Sequence, residues 1–428
     1  MRVLSDPLGF LLEKGRGRDL FSFRIGLRPA LLVNHPAWIE HVLVTHADAF
    51  VKGPEYELAR RVLGFGLLTS DGEGHRRHRQ VLLPAFREAH AASLSCAVRE
   101  EARMRSDRWR AGDVVDAADE MAELLITVIG RALLGMRLHD QAHEIRKAVT
   151  AVFEWFQRLR FPGGTSFGWL TRPNAALTQL DSLVTSALRN RETPFLAALD
   201  EAFVRGELSE AERRDEVLTF FMGAHETTAT ALAWTLYLLT QNPEAQDWIA
   251  AEQAAPARMV FAETLRLFPP AWAFSRRVRT PGGLGELELA PGTIVLLSPF
   301  VTQRDPRFFA RPDGFEPLRW SEAARAAARF SYIPFGAGGR GCIGERWAWA
   351  VAETLLPLLL TDWRFRLAAD AEVSMRPLIT LRPRAGVRVQ LERPGRDVGQ
   401  ARKPEAQRTP ISSTRCKAPS TSLIVHSR

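Results

Sequence analysis

Apolar residues recur three and four positions apart from about Pro84 to Asp247, which predicts a predominantly helical stretch with few strand signatures. Breaks with turn chemistry fall at RFPGGTS (160–166), TRPN (171–174) and RNRETP (189–194). The longest apolar run, Val217 to Leu239, carries His225 and Glu226. A bilayer would have to bury that charge, so the run reads as a long core helix and no membrane span is expected. Upstream, LFSFRIG (20–26) and PALLVN (29–34) read as strands about a turn at LRP, and PAWIEHVLVTH (36–46) has helical spacing. SDGEG (70–74) supplies an N-terminal cap for a helix that starts near His75.

After Pro269 the texture changes. GELELAPGTIVLLS (285–298) predicts a hairpin turning at APG. ERWAWAVAETLLPLLL (345–360) predicts a helix, and RFRL (364–367) and GVRVQLE (386–392) alternate as strands do. From Arg393 the periodicity is lost to Pro, Ser, Thr, Lys and Arg. The expected fold is mainly α with a minor β portion. One domain is expected over residues 1–392, followed by a basic, disordered tail over 393–428.

Charge changes this picture less than its total suggests. The 428 residues carry a formal +8, but residues 393–428 hold eight Lys/Arg against two Asp/Glu. The globular part is left near +2, too little for a nucleic-acid partner. Cys96, Cys342 and Cys416 are too few and too scattered for a disulfide framework, and no C-x-x-C appears. With no export segment in MRVLSDPLGFLLEKGRGR, the expected location is cytoplasmic.

One cysteine stands out. FGAGGRGCIG (335–344) sets Cys342 among glycines, beside Arg340 and just before the 345–360 helix. Glycines let backbone N–H groups turn toward the sulfur, while the arginine and the helix N-terminus favour negative charge there. Those are the conditions a metal-bound thiolate needs. A glycine-rich turn with an incidental cysteine is the plainer alternative.

Phe335, Gly338, Arg340, Cys342 and Gly344 reproduce F-x-x-G-x-R-x-C-x-G, which resembles the haem-ligand loop of the cytochrome P450 family. Three further segments follow that family's order. ETLR (263–266) is similar to E-x-x-R, and with FEPLRW (315–320) it implies a structural triad of Glu263, Arg266 and Arg319. HRRHR (75–79) sits where the family's C helix binds a haem propionate through His75 and Arg79. GAHETT (223–228) resembles the central-helix motif and implies Glu226 and Thr227 as an acid–alcohol pair for proton delivery to dioxygen. Ala224 departs from the glycine usual there, and the segments before Glu263 and around 160–195 are short for the family.

The resemblance implies haem b (iron protoporphyrin IX) sandwiched between the long central helix and the cysteine loop, with Cys342 as axial ligand and Phe335 beneath the haem. Arg340 and Arg276 join His75 and Arg79 at the propionates; Arg276 is preferred to Arg277 because strand alternation in FSRRV sends the two to opposite faces. It further implies a monooxygenase using O2 and NAD(P)H-derived electrons from a ferredoxin or flavodoxin with its reductase, the chain acting as a monomer. Arg76, Arg77 and Arg346 are the expected docking patch. The expected substrate is an apolar small molecule of terpenoid, fatty-acid or steroid type. Its candidate walls are Leu58, Leu63, Phe65, Phe220, Gly223, Ala224, Trp272, Ala273 and Ile379. A peroxide-driven relative and a haem-binding sensor or carrier are the alternatives.

Overall fold

The computed structural model describes residues 6–86, 91–160, 173–190, 192–284, 287–321 and 329–395. The expected break at 161–166 and the tail beyond residue 395 lie outside the described residues. Arg393 and its neighbours are within them. Arg393 sits over the Trp363 ring at 3.8 Å and donates to the Asp362 carbonyl, so at its first residue the expected tail is still docked.

The helices that frame the interior are α1 (Pro54–Leu63), α2 (Gly72–Leu82), α3 (Ala117–Leu134), α4 (Ala142–Arg160), α5 (Glu210–Gln241), α6 (Ala254–Leu267) and α7 (Glu345–Asp362). Helix α5 runs unbroken through the apolar stretch foreseen as a core helix. Ser209 caps it with a reciprocal bond to Glu212, which satisfies N–H groups that the first turn leaves without partners. From Val217 to Leu239 it buries Phe221, Leu232, Ala233, Trp234 and Leu239 almost completely. A helix apolar all round belongs in the middle of a protein, and α5 does. Among the described residues no helix is long and apolar enough to cross a membrane.

The strands form four separate sheets among the described residues. β1 (Leu20–Ile25), β2 (Arg28–Val33), β3 (Phe50–Lys52), β5 (Phe274–Val278) and β8 (Ile294–Leu297) form one sheet in the order β1-β2-β8-β5-β3. β4 (Val114–Asp116) pairs with β12 (Arg388–Glu392), which pairs with β9 (Arg364–Leu367). β4 is a short strand within the stretch expected to be predominantly helical. The hairpin expected across 285–298 does not form. β7 (Leu287–Leu289) folds back on β6 (Gly282–Leu284), while β8 runs parallel to β2 and antiparallel to β5. The turn falls near Gly292 as expected, but Ile294–Leu297 is apolar at every position and buried throughout. Such a run belongs inside a sheet, not on the edge of a two-stranded ribbon.

Buried polar side chains tie α2 to α5 and α5 to the strands. His78 of α2 bonds Glu216 (2.5 Å) and Glu212 (3.1 Å) of α5. Burial opposes a charge on His78, but the two carboxylates reverse this and raise its pKa. The α5 residue Trp234 donates to the carbonyl of Leu381, in the short hairpin of β10 (Met375–Pro377) and β11 (Leu381–Pro383).

Candidate active site

A cavity of about 370 Å³ lies between α5 and the cysteine loop. Helix α5 contributes Thr219, Phe220, Gly223, Ala224, Thr227, Thr228 and Ala231, spaced by one helical turn so that they share one face. The middle of that stripe is small, and a Cβ built on Gly223 meets only open space. A flat group can therefore lie close to the helix. Ala224 does not break the helix; the Thr227 hydroxyl donates to the Gly223 carbonyl at 2.7 Å within a continuous α-helical run.

Facing that stripe, Phe335, Gly341, Cys342, Ile343 and Gly344 line the cavity. The Cys342 N–H donates to the Phe335 carbonyl at 2.8 Å, closing the loop. Gly336 and Gly338 both adopt φ of +68°, and a Cβ on Gly338 would lie 2.1 Å from the Leu43 carbonyl oxygen. Glycine at 338 is thus required twice over. Burial pushes the Cys342 thiol up, opposed by the Gly344 N–H and the Arg79 charge. The first turn of α7 follows at once, bringing Trp347 and Ala348 to the wall.

Behind the loop, Glu263 and Arg266 of α6 are fully buried. They form a two-pronged pair, Nε to Oε2 at 2.9 Å and Nη2 to Oε1 at 2.8 Å. Arg319 reaches Glu263 at 3.1 Å, and the Trp320 indole and the Glu316 N–H complete the carboxylate's partners. Arg266 also donates to the carbonyls of Gln303, Pro312 and Gly314. All three expected triad residues meet, and every charge is satisfied.

The rim of the cavity is cationic. His75 and Arg79 of α2, Arg276 of β5, Arg340 of the cysteine loop and Lys52 of β3 all line it. Arg79 donates to the Gly341 carbonyl at 2.8 Å. Arg340 is held by Asp71 (2.8 and 3.0 Å) and the Ala47 carbonyl (2.9 Å). Arg276 is buried, and its Nε has no hydrogen-bond partner, an unusual condition for a guanidinium. Arg277 points the other way and pairs with Glu57 at 2.8 Å. Burial, with the charges of Lys52, Arg340 and Arg79, holds His75 down to about 3, so it is neutral. An orphaned guanidinium nitrogen among crowded positive charges is what a site for a bound anion looks like.

The structure separates the expected acid–alcohol pair. Thr227 faces the cavity, but Glu226 does not. Its carboxylate accepts from Arg382 Nε and from the Thr380 hydroxyl, and burial's upward push on its pKa is overcome by the Arg382 charge. Of the expected substrate walls, Phe220, Gly223 and Ala224 line the cavity and the others do not. Leu58 lies off it on α1, and Leu63 is buried in the main core. Phe65 is exposed and faces a separate cleft beside Ser70 and Glu212. The Trp272 indole donates to the Leu378 carbonyl and packs with Leu32 and Phe300, with Ala273 against the same cluster; Ile379 is not among the lining residues. The walls actually include Tyr56, Leu67, Leu68, Pro270, Ala271 and Phe274. Most of these fall in the 54–68 and 271–274 stretches expected to form walls, but Lys52 was not foreseen. Its only local signal is a lone lysine ending the apolar pair Phe50–Val51.

Residues 14–388 match the family described as Cytochrome P450. The chain belongs to the cytochrome P450 family. This P450 is 34% identical over 408 residues to cyclooctatin synthase of Streptomyces melanosporofaciens, covering 88% of this chain and 89% of that one. It is 30% identical to cyclooctat-9-en-7-ol 5-monooxygenase of the same organism, covering 86% of each, and 28% identical to pentalenene oxygenase of Streptomyces avermitilis, covering 89% and 91%. Among solved structures, CYP175A1 of Thermus thermophilus superposes with a TM-score of 0.80 at 30% identity, covering 91% of this P450 and 96% of that chain. The fold is that of the family, and the chain is an oxidoreductase of the monooxygenase class. The family's chemistry uses haem, dioxygen and reducing equivalents passed from redox partners to oxidise apolar substrates.

Proposed function

We propose that this P450 binds haem b through Cys342 and inserts one oxygen atom of O2 into a terpenoid. The observation that carries this reading is the position of the Cys342 sulfur. It faces the small-residue stripe of α5 across an apolar cavity with a cationic rim. That arrangement suits a flat, apolar, dianionic porphyrin: the thiolate would hold the metal, Phe335 and Ile343 would pack under the ring, and Arg276, His75, Arg79 and Arg340 would meet the carboxylates. When bound, the haem supplies the redox chemistry that activates oxygen.

The chain's own contribution is positional and acid–base. Gly223 and Ala224 would leave room for a bound haem beside α5, and Thr227 holds a hydroxyl proton at Oγ1 on the cavity side of α5. Glu226, one residue away, is the acid that can resupply that proton through water once it leaves Arg382. Leu67, Leu68, Ala271 and Phe274 exclude bulk water and offer a hydrocarbon only apolar contact. The names of the relatives favour a terpenoid over a fatty acid or steroid. Electrons would come from NAD(P)H through a ferredoxin or flavodoxin and its reductase.

The decisive experiment is the spectrum of the reduced carbon monoxide complex of the wild type and of Cys342→Ser. The wild type shows the red-shifted thiolate band and the variant lacks it. A variant that keeps the band overturns the ligand assignment. Optical titration with terpenes, fatty acids and steroids then ranks the substrate classes, and a terpene set without any spectral shift removes that choice.

A further inference from the structure

Lys52 ends β3 and stands opposite Arg276 in the β3–β5 register, so the two side chains share the face turned to the cavity. It is 8% exposed. An ammonium has three N–H donors. Two go to the carbonyls of Leu67 and Leu68, each at 2.8 Å. The third has no hydrogen-bond acceptor among the described residues, with only the Tyr56 ring beneath it, 5.7 Å away.

Charged and titratable groups approach it from every side. Asp71 comes from the N-cap of α2, His75 from α2, Arg276 from β5, Arg340 from the cysteine loop, Glu216 from α5 and Tyr56 from α1. The nearest carboxylate, Asp71, is already occupied by Arg340 and by the backbone N–H groups of Lys52 and Gly72. Burial first, then Arg276 and Arg340 against the pull of Asp71, lower Lys52 to about 7. A buried lysine with one idle donor, whose two neighbouring carboxylates are offset by two guanidinium groups, can take a further acceptor.

We propose that Lys52 is a further cationic partner of the haem carboxylates, and that the same ammonium ties the Leu67–Leu68 turn, a wall of the substrate cavity, to them. This rests on the reading that the cavity takes a haem. A carboxylate at the rim supplies the missing acceptor and raises the Lys52 pKa, so the tie exists while the amine is protonated and weakens as it loses its proton. Leu67 and Leu68, held by the turn's own bonds from Thr69 and Ser70 to Gly66, would then be tied to the cofactor as well.

The test follows haem transfer from the purified holoprotein to excess apomyoglobin, read at the Soret band. A charged hydrogen bond of ordinary strength sets the expected size, so wild-type release accelerates about tenfold between about pH 7 and about pH 10. Lys52→Met releases haem about tenfold faster already near pH 7 and shows no acceleration. Lys52→Arg stays slow and flat, because a guanidinium keeps its proton. Amide hydrogen exchange across residues 64–70 of the holoprotein rises in Lys52→Met and not in Lys52→Arg. Wild-type release by Lys52→Met overturns the proposal, and so does an acceleration that survives in Lys52→Arg, since another group would then be titrating. Unchanged exchange at 64–70 removes the tie. A purified wild-type chain holding no haem overturns the cavity reading itself, and the inference with it, before any variant is made.

Discussion

The Glu226 carboxylate accepts a hydrogen bond from Arg382 Nε at 2.6 Å, which turns the acid beside Thr227 away from the cavity. Arg382 stacks 5.5 Å from the Phe153 ring on its other side, so the guanidinium bridges α5, α4 and the β10–β11 hairpin. Burial alone would raise the Glu226 pKa; Arg382, His225 and Thr380 together bring it below the ordinary value.

Arg382→Ala leaves that carboxylate buried without its cation and is expected to destabilise the protein by about 3 kcal/mol at neutral pH. The sign with pH follows. In the wild type the pair's contribution is complete above the unfolded carboxyl value and is lost as pH falls through the lower folded one. In the variant the carboxyl pKa rises instead, so the gap between the two proteins narrows toward acid pH. Urea unfolding at neutral pH and near pH 4 checks this, and a gap that widens in acid contradicts the pairing.

Thr227→Ala removes a hydroxyl from the cavity face without touching the rim or the cysteine loop. Haem content is expected to stay at wild-type level while product per NADPH falls roughly tenfold or more and hydrogen peroxide rises. Thr227→Ser restores part of the yield. Measured oxygen, peroxide and product balances decide it, and equal coupling in Thr227→Ala and wild type rules out the role.

Arg276→Leu and Arg277→Leu differ by one position and point to opposite faces. The buried Arg276, with its idle Nε, is expected to matter to haem retention by about tenfold in release rate. Loss of the exposed Arg277–Glu57 pair shifts stability by no more than about 1 kcal/mol and leaves release unchanged. Haem transfer and thermal melts of the two variants check the order; the reverse order reassigns the site.

The expected docking patch has lost one member. Arg77 pairs with Glu212, which also serves His78, so its charge is compensated. Arg76 is 66% exposed, with Glu73 3.9 Å away. Arg76→Glu and Arg346→Glu are expected to slow first-electron transfer from an acidic ferredoxin at low salt by several-fold and to matter little at high salt. Arg77→Glu acts through stability instead. Stopped-flow reduction across a salt series separates these, and salt-independent rates in all variants place the docking surface elsewhere.

What was legible in the sequence is what is local. The cysteine loop, ETLR and HRRHR carry their spacing within one turn, so the side chains that meet there could be named in advance. Arg276 over Arg277 needed only the alternation of a strand. Lys52 was hidden, because its place at the rim depends on β3 pairing with a strand more than two hundred residues later. Glu226 was visible as an acid beside Thr227, but its partner Arg382 comes from a distant hairpin and fixes which way it points. The hairpin expected at APG failed for a similar reason. Sequence shows where the chain turns, but long-range pairing chose β2 and β5 as the neighbours of β8.

The cysteine loop fits against Leu43 at Gly338, accepts Arg79 at Gly341, and sends Arg340 to Ala47 and Asp71. Every one of these contacts joins the first fifth of the chain to residues 338–341, some 260 to 300 positions later. During synthesis the N-terminal half of this seam must wait until some three hundred later residues have left the ribosome. The pocket floor therefore cannot close before residue 341 has emerged, and until then the nascent chain holds only one side of the pocket.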